Sequence, residues 1–465
     1  MTTRIDADYL VVGAGATGMA FTDSLLGHTE DRSTKVALVD RRQGVGGHWL
    51  EAYSFVRLHQ SSSFYGVAST LLGGGRIQEH GPEAGLHERA DQPTICAYYA
   101  DVLDRMVSSG RVEHYPGCEY VGDGTFVSRV SGRRYEVPES CRIVDAHYLA
   151  PDIPAETPPY FAVADGARVI PVNDLVRIDH APSEYVVVGS GKTATDAIVW
   201  LLGRGVDPDD VCWVRPREPW MLNRDRIQPE PEIFLGMVAD LLSSAAAADS
   251  LDDYFLRLED SGTMLRIDRS LTPTMAKGPT LGSWELELLR TISRVVRLGH
   301  LREVRPGRLE FAEGTINVAA DALVVNCAAD GLKNKPPVPI WRDSAITLQP
   351  VRAGFPCLGA AVTGYVEATR ASDADKNAVC APSPYGNTLT DWVQMTLLGT
   401  RNAGVLAAEP DIQAWLQRVP LNPARIPPGH DRSPALDDAL DRIMSDTAPG
   451  LAGLARLARV PPPTG

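Results

Sequence analysis

The sequence predicts an α/β fold built from two Rossmann-like dinucleotide-binding units, one inserted in the other, with a small antiparallel meander attached. Two stretches carry that prediction. The first runs from Asp8 to Asp40: an apolar strand Tyr9-Leu-Val-Val12, the turn Gly13-Ala16-Thr17-Gly18 with Gly15 at its centre, a helical segment, and a second apolar strand ending on Asp40. This is G-x-G-x-x-G between strand and helix, with an acid about 20 residues beyond the last glycine. The second stretch repeats the plan. Tyr185-Val-Val-Val188 runs into Gly189-Ser-Gly191-Lys192-Thr193-Ala194, and the following strand ends on Arg215. At 465 residues the chain is also too long for one ordinary core.

The two units differ where it matters chemically. Gly15 has no side chain to hold a pyrophosphate away, and the free N–H groups at the helix start face it. Asp40 can accept from ribose hydroxyls, so the first unit suits an unphosphorylated adenosine dinucleotide. Arg215 instead favours a ribose 2′-phosphate through charge-assisted hydrogen bonds, with Lys192 as a second cation.

Between the units the chain reads as follows. After Asp40 come Arg41 and a glycine loop, Gly44, Gly46 and Gly47, closed by His48 and Trp49; Trp49 is expected to pack on the cofactor's ring system. Residues 54–70 mix aromatics with small hydroxyls around His59 and Gln60, as a cofactor-site floor would. Residues 71–88 read as a surface loop and residues 93–106 as a helix capped by Asp91 or Thr94. The alternation over residues 112–146 predicts the meander, and the proline-rich residues 151–171 a crossover.

Beyond the second unit, residues 216–226 read as a basic, aromatic loop and residues 233–256 as helix. Residues 284–298 read as helix then strand, residues 302–318 as a hairpin around Gly314, and residues 324–331 as a strand returning to the first unit. Residues 359–365 and 373–380 look turn-rich, residues 392–398 and 411–419 helical, and the tail 460–465 disordered. The expected domains are therefore residues 1–160 and 321–465 for the first cofactor and residues 161–320 for the second.

The net charge of −14 argues against nucleic acid or an anionic membrane as partner. No apolar run approaches the roughly 20 residues that span a bilayer. The N-terminus runs straight into the first apolar strand, so no signal or transit peptide is expected. Seven scattered cysteines, with no C-x-x-C pair, suit a reducing cytoplasm and offer no metal site. Oligomeric state is left open.

The chain resembles the class B flavin monooxygenases, which comprise flavin-containing, Baeyer–Villiger and N-hydroxylating enzymes. The resemblance rests on GAGATG (13–18), the G-G-x-W element (46–49), RLHQSSSFYG (57–66), GSGKTATD (189–196) and WVRPREPW (213–220). It covers roughly the first half of the chain; later, VVNCAADG (324–331) stands in place of the family's A-T-G turn. The resemblance implies FAD on the first unit and NADPH on the second. It implies that the reduced flavin reacts with O2 to a C4a-(hydro)peroxide, which oxygenates a nitrogen, sulfur or carbonyl centre of a small substrate. Gln60 stands near the position where the family usually has an asparagine, beside the flavin's oxygen site, with His59 next to it. A reductase or dehydrogenase without oxygen insertion, or a non-catalytic flavin-bound sensor, fits the same two units. A disulfide reductase does not, because no cysteine precedes Cys96.

Overall fold

A computed structural model of the chain describes residues 2–29, 33–328 and 331–459. The first unit opens with β1 (Tyr9–Val12), α1 (Ala16–His28) and β2 (Val36–Asp40). It continues through α2 (Gln92–Ser108), β3 (Val112–Pro116) and β4 (Arg142–Asp145). β4, β1, β2 and β3 lie side by side in that order, all parallel. β2 is buried throughout, as a central parallel strand covered on both faces must be. Asp91 caps α2 by accepting from the Thr94 N–H at 3.1 Å, as its sequence position predicts.

The meander is narrower than the alternation suggested. Its antiparallel strands are Cys118–Gly122, Thr125–Ser128 and Arg134–Glu136, with Thr2–Arg4 added in parallel at the edge. The flanking segments, β3 and β4, belong to the parallel sheet instead. β3 is the edge strand of its sheet and is exposed at Glu113 and Pro116, so polar residues interrupt its apolar run.

The second unit comprises β5 (Arg168–Pro171), β6 (Tyr185–Val188), α3 (Lys192–Gly203) and β7 (Val211–Val214). Three further helices follow: α4 (Pro231–Ala247), α5 (Leu251–Asp260) and α6 (Ser283–Arg290). β8 (Arg294–Val296) and β9 (Leu323–Asn326) complete it. The sheet order is β5-β9-β6-β7-β8, all parallel. β9 is thus a central strand of the second unit, not the return to the first. Its all-apolar run reads the same in either sheet, and only pairing separates the two. Ala329 and Asp330, at the end of that expected strand, lie outside the described residues.

Residues 302–318 form three strands, Leu301–Arg305, Arg308–Phe311 and Gly314–Asn317, because Pro306-Gly307 makes an additional turn with Gly307 at φ +74°. The expected loop at 216–226 contains a strand, Pro219–Asn223, paired with Met264–Arg266 and Met275–Leu281. Its Trp220 and Met221 are buried.

The chain re-enters the first sheet with β10 (Trp341–Arg342) and β11 (Ala345–Thr347), the latter parallel to β4. The remainder is helical: α7 (Pro356–Thr369), α8 (Asp373–Val379), α9 (Leu389–Ala408), α10 (Pro410–Leu416) and α11 (Pro434–Leu457). The stretches 359–365 and 373–380, expected as turns, are therefore helix. In α7 and α11 glycines serve close approach rather than breakage. A Cβ on Gly364 would stand 2.4 Å from the Phe21 carbonyl oxygen of α1, and one on Gly453 1.9 Å from the Ala245 oxygen of α4. The tail 460–465 lies outside the described residues. Among the described residues no helix is long and apolar enough to cross a membrane.

Gly364→Ala should therefore cost about 2–3 kcal/mol by forcing α1 and α7 apart. Gly27→Ala, at an exposed position of α1 with nothing within 4 Å of the added carbon, should gain about 0.5–1 kcal/mol. Denaturant titration of both variants measures the contrast, and equal effects would contradict the packing account.

Candidate cofactor clefts and the network between them

The first cradle sits at the C-terminal ends of β1 and β2. Gly13 has φ +110°, a turn that L side chains rarely adopt. A Cβ on Gly18 would fall 1.9 Å from the Gly13 oxygen, so helix and turn meet with no room between. Gly15 and Gly47 face each other: a Cβ on Gly47 would be 3.0 Å from the Gly15 Cα. No side chain caps α1 at Gly15, which leaves its first N–H groups to a ligand. The surrounding cleft holds about 380 Å³ and is lined by Gly13, Gly15, Ala16, Thr17, Asp40, Arg41, Gly47 and His48 among others. These residues fit a dinucleotide: glycine where backbone must approach, open donors for the pyrophosphate, and an acid for the ribose.

Asp40 is buried, with Oδ2 accepting from the Ala14 N–H at 2.7 Å and Oδ1 from the Arg42 N–H at 2.8 Å. Each oxygen keeps acceptor capacity toward the cleft. Arg41 is exposed and paired with Glu156 at 2.6 Å. Burial, helped by Arg42, pushes the His48 ring down to about 4, so it is neutral beside the cleft. Trp49, next to His48, is buried. It donates its indole N–H to the Tyr65 hydroxyl at 2.7 Å, and Tyr65 lines the cleft. The reason is polar: a buried indole N–H needs an acceptor.

The second cradle repeats the geometry. Gly189 has φ +144°, and a Cβ there would meet the Cys327 carbonyl oxygen after β9 at 3.1 Å. Gly191 is open and caps α3 without a side chain. Arg215, at the end of β7, is buried, lies over the Trp213 ring at 4.2 Å, and donates from Nε to Glu218 at 3.0 Å. Its Nη1 is buried with no hydrogen-bond partner among the described residues, a donor still to be satisfied. Arg217 is exposed. Lys192 pairs with Asp196 at 2.5 Å, one helical turn on. Thr193 lies between them on α3.

Between the cradles runs a buried ionic network that the sequence did not reveal. Arg224 is almost wholly buried and bonds Glu83 of the first unit at 2.5 Å and Glu285 of the second at 2.7 Å. Its Nε donates to the His59 carbonyl oxygen at 3.1 Å. Arg89 adds a bond to Glu83 at 2.6 Å, and Tyr53 donates to Asp196 at 2.7 Å. Three cations, Arg89, Arg224 and Lys192, thus face three anions. The only sequence signal was the Lys192/Asp196 spacing of one helical turn. His59 lies in this network, and its Nδ1 accepts from the Thr280 N–H at 3.3 Å. Burial and the nearby Lys192, Arg224 and Arg89 push its ring down to about 3, so it is neutral near pH 7. Gln60 is buried beside it.

No family model matches the chain. The uncharacterized protein Rv2000 of Mycobacterium tuberculosis is 39% identical over 422 residues, covering 90% of this chain and 78% of that protein, and Mb2023 of Mycobacterium bovis matches equally. The chain belongs to the family of these mycobacterial proteins. Among solved structures, cyclohexanone monooxygenase in an open form superposes with TM-score 0.50 at 16% identity, over 89% of this chain and 99% of that one. A steroid monooxygenase bound to NADP gives 0.51 at 15%, over 84% and 90%. The polycyclic ketone monooxygenase of Thermothelomyces thermophila gives 0.51 at 11%, over 97% and 89%. The fold is that of the class B flavin monooxygenases.

Within this class B fold His48, His59 and Glu83 make stability depend on pH. His48 and His59 have folded pKa values below their ordinary 6.5, so acidification charges them more readily in the unfolded chain. Their contribution is complete above pH 6.5 and is lost as pH falls toward 4 and then 3. Burial alone would raise Glu83, but Arg89 and Arg224 hold it down at about 2, so its share is lost between 4.5 and 2. Denaturant midpoints should fall on acidification below pH 6.5, and His59→Gln should flatten that fall; an unchanged slope would refute the burial of a neutral ring.

Proposed function

We propose that this chain is an FAD-dependent monooxygenase that uses NADPH and O2 to oxygenate a small organic substrate. One oxygen atom goes to the substrate and the other leaves as water, while NADPH and a proton supply the two electrons and two hydrogens. The observation that carries this reading is the pair of glycine cradles with opposite terminal charges, Asp40 on one and Arg215 on the other, joined through Tyr53 and Asp196. Fold likeness to monooxygenases supports it.

FAD, when bound, supplies the redox chemistry, accepting hydride and passing electrons to O2. The chain's own residues bind, orient and exclude water. Asp40 would accept the ribose hydroxyls, and the open N–H groups of α1 would take the pyrophosphate. Gly47 would let the backbone close on the cofactor. At the second cradle, α3 would receive the NADPH pyrophosphate with Lys192 and Thr193 at its first turn. The unsatisfied Nη1 of Arg215 would take the 2′-phosphate. His59 and Gln60 would hydrogen-bond at the reacting end without adding charge, since the His59 ring is neutral near pH 7. The network around Arg224 would keep bulk water out of the junction. In this reading residues 1–160 and the return after β9 hold FAD, and residues 161–328 hold NADPH.

Stopped-flow mixing of the purified protein with NADPH, then with labelled O2, tests the reading. Flavin bleaching followed by one labelled oxygen in the product is the expected result. NADPH oxidation with no label in any product would make the chain a reductase. Arg215→Ala should raise KM for NADPH at least about tenfold while leaving KM for NADH within about twofold. Equal rises would remove Arg215 from the 2′-phosphate.

A further inference from the structure

Arg215 does not stand alone at the C-terminal edge of the second sheet. β7 and β8 are parallel neighbours, with Val214 opposite Val296. The Arg215 N–H donates to the Val296 carbonyl oxygen at 2.9 Å. The next residue on each strand is therefore an arginine, Arg215 on one and Arg297 on the other, and the two leave the sheet side by side.

Glu218 joins them. Its Oε1 accepts from Arg215 Nε at 3.0 Å and from Arg297 Nε at 2.6 Å. The carboxylate is buried, and the Glu218 carbonyl oxygen accepts from the Thr274 N–H at 3.1 Å, which pins its backbone. Arg297 also donates from Nη2 to Asp268 at 2.8 Å, and Asp268 is fixed in turn by the Ser270 N–H and hydroxyl. Each guanidinium is thus held by acids through some of its donors. Each keeps its Nη1 without a hydrogen bond among the described residues. Burial pushes the Arg215 guanidinium down, and the Arg297 charge adds to that push against the pull of Glu218 and Asp268.

The two arginines differ in access. The Arg297 side chain is 32% exposed and that of Arg215 only 2%. An anion arriving from solvent meets Arg297 first, with Arg215 behind it. A phosphate monoester carries nearly two negative charges and three acceptor oxygens near pH 7, more than one fork already shared with a carboxylate can answer. A free ribose hydroxyl has no charge for a second cation to meet.

We propose that Arg297 is a second specificity-determining residue for the nicotinamide cofactor, reading the ribose 2′-phosphate together with Arg215. The inference rests on the NADPH reading of the second cradle. It adds a residue from β8, a strand outside the glycine fingerprint.

Calorimetric titration of the purified full-length protein with adenosine 2′,5′-bisphosphate and with AMP tests it without turnover, since the two probes differ only in the 2′-phosphate. The native protein should bind the bisphosphate at least about thirtyfold more tightly. Arg297→Gln should cut that preference about tenfold while AMP affinity stays within about twofold. Arg297→Lys, which keeps the charge and loses the fork, should restore about threefold of it. A preference that survives intact in Arg297→Gln and is lost in Arg215→Ala would defeat this inference alone. A loss of AMP affinity as large as the loss for the bisphosphate would also overturn it, because a merely structural arginine behaves that way. Native protein that binds neither probe, or both equally, would defeat the NADPH reading and this inference with it.

Discussion

The arrangement of the two units depends on one buried cation. Arg224 reaches out of the second unit and is satisfied only when Glu83 of the first and Glu285 of the second meet it together, with the His59 carbonyl completing its donors. Taking such a charge out of water costs several kcal/mol and is recovered only with good geometry. Arg89 contributes the same demand from the first unit's side. A buried network of this kind is weak as a source of net stability. Its use is in register, because a slide of one unit over the other would leave charges unpaired in the interior.

That register has chemical consequences. It carries Tyr53, which follows the first cradle's glycine loop, to Asp196 in the second turn of α3. It takes His59 out of water amid three cations, and burial first, then their charge, keeps its ring neutral, which makes it a hydrogen-bonding group rather than an acid near pH 7. The glycines act at shorter range toward the same end. Gly18, Gly364 and Gly453 each allow a helix to approach backbone more closely than any Cβ permits, which fixes α1, α7 and α11 around the cradles.

Much of the first 215 residues was legible because the physics there is local. A glycine turn between an apolar strand and a helix has one stereochemical use, and the residue ending the next strand is placed by sheet pairing alone. Where the reading failed, the deciding contacts were distant in sequence. The run of β9 looks the same in either sheet, and α7 and α11 carry glycines that resemble breakers until their partners are known.

The sequence by itself determined two cradles and the sign of the charge at the end of each, since these follow from a few neighbouring residues and the fixed geometry of strand and helix. Only the tertiary structure decided which acids meet Arg224 and Arg89, and which strand closes the second sheet. Those outcomes depend on pairings between side chains far apart along the chain. Burial makes each such pairing obligatory without marking its members in the sequence.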